Sequence, residues 1–207
     1  MTNITKDDLV GKIEQLATGR DRFVVAISGP PGSGKSTLAN YLAVCLRPKA
    51  AVLPMDGFHF ENDVLTQKGL LHRKGAPETF DAERFVALVR SLQSAGNIPY
   101  PTFDRSADRT VPGGGSISED TTVVLVEGNY LLLNQRPWSN LAVHFDLRAR
   151  LKVERDELLS RLVQRWLDQG MPEDEARARA IGNDMRNVDL VEANSRSPDL
   201  WVPSETQ

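Results

Sequence analysis

Cysteine is almost absent from the chain, which has one, Cys45, among 207 residues. A single thiol cannot form an internal disulfide, so a disulfide-stapled scaffold is excluded and a reducing compartment is indicated. The segment NYLAVCL places Cys45 on an apolar helical face with Leu38 and Leu42. Because cysteine is among the most often buried residue types, we predict a buried structural thiol rather than a reactive one.

The chain also lacks a long apolar run and an excess of basic residues. No stretch approaches the ~18 apolar residues of a membrane span, and the opening MTNITKDDLVGKIEQL has no apolar centre typical of a signal peptide. Lys and Arg number 25 against 28 Asp and Glu, a net charge of −3, whereas nucleic-acid binders usually carry a basic excess. We therefore expect a cytoplasmic protein with no membrane and no nucleic-acid partner.

Apolar periodicity predicts alternating strands and helices in about one domain. Short β-branched runs predict buried strands at residues 23–28, 50–55, 123–127, 142–147 and 200–202. Apolar stripes with caps predict helices at residues 5–17, 35–46, 81–95, 149–169 and 172–193. The segment 111–120, which contains PGGGS, is predicted to be a flexible surface loop. This order predicts an α/β fold with a parallel sheet.

The segment GPPGSGKS, residues 29–36, fits the phosphate-loop pattern G-x-x-x-x-G-K-[ST]. Its glycines let backbone N–H groups turn toward a phosphate, and the helix that follows adds its positive end. Lys35 supplies a charge for the β- and γ-phosphates, and Ser36 offers a hydroxyl to Mg²⁺. The predicted nucleotide-binding residues of this loop are Gly29, Gly32, Ser33, Gly34, Lys35, Ser36 and Thr37.

Two carboxylates follow predicted strands at the edge of the sheet where ligands bind. Asp56 comes after AVLPM and Glu127 comes after VVLV. Glu127 suits a metal-side acid, and Asp56 suits a base that takes the proton of an acceptor hydroxyl. The two roles could be exchanged, and solvated acids without a function are the plainer alternative.

The chain resembles the P-loop kinase group of uridine kinase, phosphoribulokinase and bacterial pantothenate kinase. The resemblance lies in the phosphate loop, in DGFH at residues 56–59 and in VEGNYLLL at residues 126–133. Within this group it is similar to the branch named for fructose transport. That similarity lies in four segments: MDGFHFEND, RKGAPETFDAERF, PTFDRSADRTVP and RLVQRWLDQG. The resemblance implies a three-layer α/β/α P-loop fold with a five-stranded parallel sheet. It also implies one kinase domain, residues 1–207, with a helical lid at about residues 149–193.

Residue by residue, the resemblance implies ATP and Mg²⁺ at Lys35 and Ser36, the catalytic base at Asp56 and the magnesium-side acid at Glu127. It also places four residues near the acceptor: His59, Arg73, Phe103 and Arg105. A surface-turn histidine and a solvated basic run at HRK are the alternatives for the first two. Uridine kinases carry a His-Ser-Arg segment that PTFDRSADR, residues 101–109, lacks, which argues against a nucleoside acceptor.

Arginines of the long predicted helix are candidates for a lid over ATP. Arg161 and Arg165 are four residues apart and share a face, so closure would bring both to the phosphates. Pairing with neighbouring acids on a solvated face is the alternative. Arg177 and Arg179 alternate with acids and are predicted to be exposed.

These features predict a Mg-ATP-dependent kinase that transfers the γ-phosphoryl to a hydroxyl of a small metabolite. Fructose is suggested only by the name of the branch. A nucleoside or pantothenate-type kinase is one alternative, and a P-loop NTPase that acts as a regulatory switch is another. A base after the second strand favours the kinase. The partner is then a small-molecule alcohol, and the oligomeric state stays open, with a homodimer among the alternatives.

Overall fold

A computed structural model describes residues 2–94 and 96–204 of the chain. Its central sheet has five parallel strands in the order β2-β5-β1-β6-β7, and a separate antiparallel pair is formed by β3 and β4. The strands in chain order are β1 (Phe23–Ser28), β2 (Ala50–Pro54), β3 (Ile98–Asp104), β4 (Arg109–Ile117), β5 (Val123–Gly128), β6 (Leu147–Lys152) and β7 (Leu200–Pro203).

Helices cover both faces of the sheet. They are α1 (Lys6–Ala17), α2 (Lys35–Cys45), α3 (Asn62–Gln67), α4 (Ala82–Ser91), α5 (Arg155–Asp168), α6 (Glu173–Arg179) and α7 (Met185–Asn194). Along the buried strand β1, Val24 and Ala26 join a core cluster with α4 and α7, whereas Val25 and Ile27 join a second cluster with α1 and α2. Successive side chains of a strand point to opposite faces. The predicted three-layer α/β/α fold with a five-stranded parallel sheet is thereby confirmed.

The predicted loop at residues 111–120 is wrong over most of its length, because residues 109–117 form β4. This strand pairs with β3, and Gly115 lies opposite Tyr100. A Cβ on Gly115 would stand 2.3 Å from the Tyr100 ring, so the glycine makes room for an aromatic side chain that lies across the hairpin. Glycines that signal flexibility in the sequence here permit close packing between two strands.

The predicted strand at residues 142–147 is also wrong, since residues 138–144 form a 3-10 segment and the strand follows as β6. Leu147, Ala149 and Leu151 alternate with basic residues and are buried. The predicted helix at 149–169 therefore begins only at Arg155. The period of two in LRARLK outweighs the helix-forming character of its residues.

The remaining helices and strands lie close to the ranges predicted from the sequence. Thr5 caps α1 by accepting a hydrogen bond from the Asp8 N–H at 3.1 Å. The helix predicted at 172–193 is realised as α6, a π-helical turn at Ala180–Asp184 and α7. The helix predicted to end at Ala95 ends at Ser91, and Ala95 itself lies outside the described residues.

Cys45 contradicts its prediction, because the structure leaves it exposed. The buried stripe of α2 runs through Leu38 and Leu42 to Leu46 instead, which takes the position next to the core. Within residues 2–94 and 96–204, no helix combines the length and the apolar character needed to cross a bilayer.

Candidate active site

The phosphate loop joins the carboxyl end of β1 to the start of α2. Gly32 and Gly34 have φ of 78° and 88°, the left-handed region that glycine adopts without strain. A Cβ on Gly29 would lie 2.6 Å from the Ser33 hydroxyl oxygen, so this glycine lets the loop close on itself. Because α2 begins at Lys35, its free N–H groups face the space that the loop encloses. The loop thus has the form of an anion-binding cradle.

Lys35 is buried in this cradle, and its Nζ donates to the Pro30 carbonyl oxygen at 2.9 Å. Burial lowers its pKa to about 8, against the opposing charges of Glu127 and Asp56. Among the described residues, no carboxylate lies within hydrogen-bond distance of the Lys35 ammonium. Its charge remains available to an anion in the cradle.

Glu127 is the next-to-last residue of β5 and lies beside the phosphate loop, because the register sets it next to Ile27 of β1 and Pro54 of β2. The Ser36 hydroxyl donates to Glu127 Oε1 at 3.1 Å. Burial, followed by the negative charge of Asp56, raises the pKa of Glu127. A buried carboxylate next to a hydroxyl is a set of hard oxygen donors, which fits Mg²⁺.

Asp56 lies in the 3-10 turn Met55–Phe58 that follows β2. Its Oδ2 accepts a hydrogen bond from Arg105 Nη2 at 2.5 Å, in an ion pair with the end of β3. The close approach of the two segments depends on Gly57, where a Cβ would lie 1.9 Å from the Pro101 carbonyl oxygen. The β3–β4 hairpin therefore packs directly against the turn that carries Asp56.

A cleft of about 770 Å³ connects these groups with the hairpin, the last helices and residues 70–76, here termed the acceptor loop. The predicted site residues that line the cleft are Gly32, Gly34, Lys35, Ser36, Thr37, Asp56, His59, Phe103, Arg105, Glu127, Arg161 and Arg165. Gly29, Ser33 and Arg73 do not line it. Their functional roles, like those of the lining residues, stay predictions.

His59 lies inside the cleft, and not on a surface turn as the alternative interpretation of the sequence has it. Its Nδ1 lies 2.8 Å from the Asp56 carbonyl oxygen. Its ring centre lies 3.9 Å from that of Phe80 and 4.9 Å from that of Phe103. Burial lowers the pKa of the imidazole, which favours the neutral form.

Arg73 points away from the cleft toward the last helices. It donates to Asn183 Oδ1 at 2.5 Å and to Asn187 Oδ1 at 3.3 Å. Its neighbour Lys74 lines the cleft instead and forms an ion pair of 2.8 Å with Asp108. Residues 71–73 form a 3-10 turn, in which successive side chains diverge by about 120°. The basic run therefore divides between two environments.

Arg161 and Arg165 share the helix face that the sequence predicts, and both line the cleft. Arg161 donates to the Gly32 carbonyl oxygen at 3.4 Å and to Ser204 Oγ at 2.9 Å. It therefore ties α5 to the phosphate loop and to the chain after β7. Arg161 also forms an ion pair with Glu157 one turn earlier on α5, so the pairing with a neighbouring acid is present beside these two contacts.

A second hollow of about 720 Å³ on the other side of the phosphate loop was not predicted from the sequence. Four residues line both this hollow and the cleft: Gly32, Gly34, Thr37 and Arg161. The hollow is lined mainly by apolar atoms. Its further lining includes Leu38, Tyr41, Leu151, Val202 and Pro203. The last two are the final residues of β7, and their sequence carries no motif that signals a pocket.

Arg179 and Asp184 are cleft residues that the sequence reasoning missed. Arg179 is half-buried and donates to the His72 carbonyl oxygen at 2.7 Å, although its alternation with acids predicts an exposed face. Asp184 is buried, as are Asn183 and Asn187. Polar residues at this spacing on an otherwise apolar helix face were the available signal.

Several known proteins are similar to this chain in sequence or in structure. No protein-family model matches it. A Schizosaccharomyces pombe protein provisionally named a uridine kinase is 33% identical over 94% of this chain and 88% of its own length. A crystal structure from Silicibacter sp. TM1040, provisionally named a fructose transport system kinase, is 44% identical with a TM-score of 0.91, over 96% of this chain and 99% of that one. The Myxococcus xanthus pantothenate kinase is 28% identical over 73% of this chain, which spans 51% of that protein.

A phosphate loop at the carboxyl edge of a parallel sheet, with carboxylates at neighbouring strand ends, defines a P-loop nucleotide-binding protein. The likeness extends over nearly the whole chain at 33% and 44% identity. The chain belongs to the P-loop kinase family that includes the uridine kinases, pantothenate kinases and phosphoribulokinase. It is an ATP-dependent phosphotransferase with a hydroxyl group as acceptor.

Proposed function

We propose that this kinase transfers the γ-phosphoryl of Mg-ATP to a hydroxyl of a neutral, polyhydroxylated metabolite such as a sugar. We further propose that the chain forms one kinase domain in which α5 to α7 act as the lid. The observation that carries the proposal is the convergence of Lys35, Asp56 and Glu127 on one cleft. A charged cradle, an acid beside a hydroxyl and a second carboxylate that lines the cleft are the groups that phosphoryl transfer requires.

The nucleotide would lie across the phosphate loop, with its phosphates in the cleft and its base in the second hollow. The apolar atoms of Leu38, Tyr41 and Val202 suit the faces of a purine ring. Arg161 borders both spaces, which places it along the phosphate chain. Backbone N–H groups at the start of α2 and the Lys35 ammonium would bind the β- and γ-phosphates.

Ser36 and Glu127 are the residues that would hold Mg²⁺. The ion, when bound, supplies positive charge that offsets the charge of the transferring phosphoryl group. The rest of the proposed chemistry belongs to side chains of the chain. Their first task is to exclude water, and the lid helices α5 to α7 border the cleft for that purpose.

Asp56 would act as the base toward the acceptor. The acceptor oxygen forms a bond to the γ-phosphorus while the bond from that phosphorus to the bridging oxygen of ADP breaks. The hydroxyl proton passes to an Asp56 carboxylate oxygen, and ADP leaves with the electron pair of the broken bond. His59, which packs against Phe80 and Phe103, would donate or accept a hydrogen bond with another hydroxyl of the acceptor.

The charges around the proposed acceptor position, including Asp56, support a neutral acceptor. Among the described residues on this side of the cleft, the cations Lys74, Arg105 and Arg179 face as many acids, Asp56, Asp108 and Asp184. An acceptor with its own phosphate or carboxylate would usually meet a net positive surface. Paired donors and acceptors, such as Lys74 beside Asp108 and Asn62, instead suit vicinal hydroxyl groups.

The aromatic rings of the cleft support a non-nucleoside acceptor. His59 and Lys74 already contact the Phe103 ring, the latter with its Nζ 5.0 Å from the ring centre. A nucleobase would have to displace these contacts in order to stack. The absence of the uridine-kinase histidine in residues 101–109 agrees with this argument. D-fructose is the first sugar to test, because the relative at 44% identity is named for fructose transport.

The proposal is tested by incubating the protein with Mg-ATP and separate acceptors: D-fructose, D-ribose, glycerol, uridine and pantothenate. Each mixture is analysed by mass spectrometry for the mass of one added phosphoryl group. We expect phosphorylation among the neutral sugars and polyols and none of uridine or pantothenate. Efficient phosphorylation of uridine or pantothenate alone would refute the proposed acceptor class.

A further inference from the structure

Trp166 of α5 is fixed in the wall of the cleft by a buried carboxylate. Its Nε1–H donates to Asp184 Oδ2 at 2.6 Å. Asp184 ends the π-helical turn between α6 and α7, an irregularity that is frequent at functional sites. Burial raises the pKa of Asp184, and Arg165 and Arg179 oppose that rise together with the Trp166 hydrogen bond. The indole therefore has a defined orientation between the lid helices.

Two guanidinium groups rest on this one indole. The Arg165 carbon Cζ lies 5.5 Å and the Arg179 carbon Cζ 5.3 Å from the ring centre. Arg179 donates in turn to the carbonyl oxygens of His72 and Lys74, at 2.7 and 3.5 Å. A cation above an aromatic face is attracted to it, so the ring holds both side chains without using their N–H donors.

Arg165 differs from Arg179 in that its donors are free. Within the described ranges, 2–94 and 96–204, its guanidinium makes no hydrogen bond or ion pair to the chain, and its side chain is exposed to the cleft. It lines the same cleft as Lys35. A free guanidinium in the same cleft as the phosphate-loop lysine can make bidentate contact with a phosphoryl group.

We infer that Trp166 is a positioning residue that holds Arg165 for the γ-phosphate and links it through Arg179 to the acceptor loop. The inference rests on the proposed placement of the ATP phosphates at the phosphate loop. The stack connects the two substrate sides of the cleft: Arg165 on the nucleotide side, the ring between them and Arg179 on the acceptor loop. A change of the indole should therefore affect γ-phosphate recognition while the remainder of the nucleotide binds normally.

The test compares the dissociation constants of ADP and of the non-hydrolysable ATP analogue adenylyl imidodiphosphate, both with Mg²⁺, by calorimetry. We expect Trp166→Leu to reduce the preference for the analogue over ADP about tenfold, the scale of one charge-assisted contact, with ADP affinity within about twofold of wild type. Trp166→Phe, which keeps a ring but loses the Nε1–H, should show a smaller reduction. Trp201→Leu is the matched control, because it removes an indole that carries Arg150 outside the cleft.

An unchanged analogue-to-ADP preference in Trp166→Leu would overturn the inference, whether both affinities are retained or both fall together. If Trp166→Leu does not fold, the same ratio in Trp166→Phe decides between the outcomes. The measurement needs no acceptor, so it stands apart from the acceptor screen. A failed screen with a reduced ratio would reject the acceptor class alone.

Discussion

The Arg105 guanidinium lies 2.5 Å from the Asp56 carboxylate and so joins the end of β3 to the turn after β2. Arg105 is half-exposed, whereas the Asp56 side chain is about a quarter exposed. The pair brings a positive charge from the hairpin to the carboxylate proposed as the base. Both residues line the cleft on the side of the proposed acceptor.

Replacement of this carboxylate should separate chemistry from nucleotide binding. We expect Asp56→Asn to lower kcat by at least ~10²-fold with ATP affinity nearly retained, because an amide cannot take the hydroxyl proton. Arg105→Gln is the matched control, since it breaks the same ion pair and keeps the carboxylate. Steady-state kinetics with the best acceptor would measure both variants. Equal losses in the two variants would assign the effect to the ion pair rather than to proton transfer.

Removal of the phosphate-loop ammonium should eliminate use of the nucleotide. Lys35 is buried with its Nζ on the Pro30 carbonyl oxygen, and no other lysine has this position among the described residues. We expect Lys35→Ala to abolish turnover and to weaken ATP binding in calorimetry, because the β- and γ-phosphates lose their point charge. Lys49→Ala, at an exposed lysine outside the cleft, should behave as wild type. Full activity of Lys35→Ala would contradict the assignment.

The depressed pKa of Lys35 predicts an alkaline limit to activity. Its pKa is lowered to about 8 by burial, so the ammonium is present below that pH and is lost as the pH rises through it. We expect kcat/KM for ATP to fall above about pH 8, since this parameter reports groups of the free enzyme. Arginine stays charged throughout this range. Residual activity of Lys35→Arg should therefore lack the alkaline limb, and an identical limb would assign it to another group.

The close packing of the β3–β4 hairpin against Gly57 predicts a large loss of stability when one methyl group is added there. Gly57→Ala places a Cβ against the Pro101 backbone, so β3 must move and the fold should lose about 2 kcal/mol or more. Gly11→Ala is the control, because a Cβ there meets nothing within 4 Å in the middle of α1. It should stabilise the protein by about 0.5–1 kcal/mol. Urea denaturation measures both, and a Gly57→Ala protein as stable as wild type would contradict the packing described.

The sequence predicts the parts of the site that depend on local pattern. The phosphate loop and the acids Asp56 and Glu127 follow apolar runs, and parallel strands bring such ends to one edge. The layer order was predictable for the same reason. Most strands and helices keep the periodicity that predicts them, whereas the predicted strand at 142–147 and the first residues of the predicted helix at 149–169 do not.

The parts that escape prediction depend on contacts between distant segments. β4 exists because Gly115 admits the Tyr100 ring, which no local rule for glycine-rich segments contains. Arg179 becomes a cleft residue because its helix packs on the carbonyl groups of the acceptor loop, more than a hundred residues earlier. The end of β7 similarly becomes a pocket wall only after the sheet has formed.

The central claim is that this chain moves a phosphoryl group from ATP to a neutral alcohol with Asp56 as base. It is tested most directly by mass spectrometry of D-fructose and the other sugars and polyols after incubation with Mg-ATP and either wild type or Asp56→Asn. The account predicts a wild-type product heavier by one phosphoryl group, formed in step with ADP and nearly absent with Asp56→Asn. ADP and phosphate released at an equal rate, with no acceptor changed in mass, would contradict it and favour a hydrolytic switch.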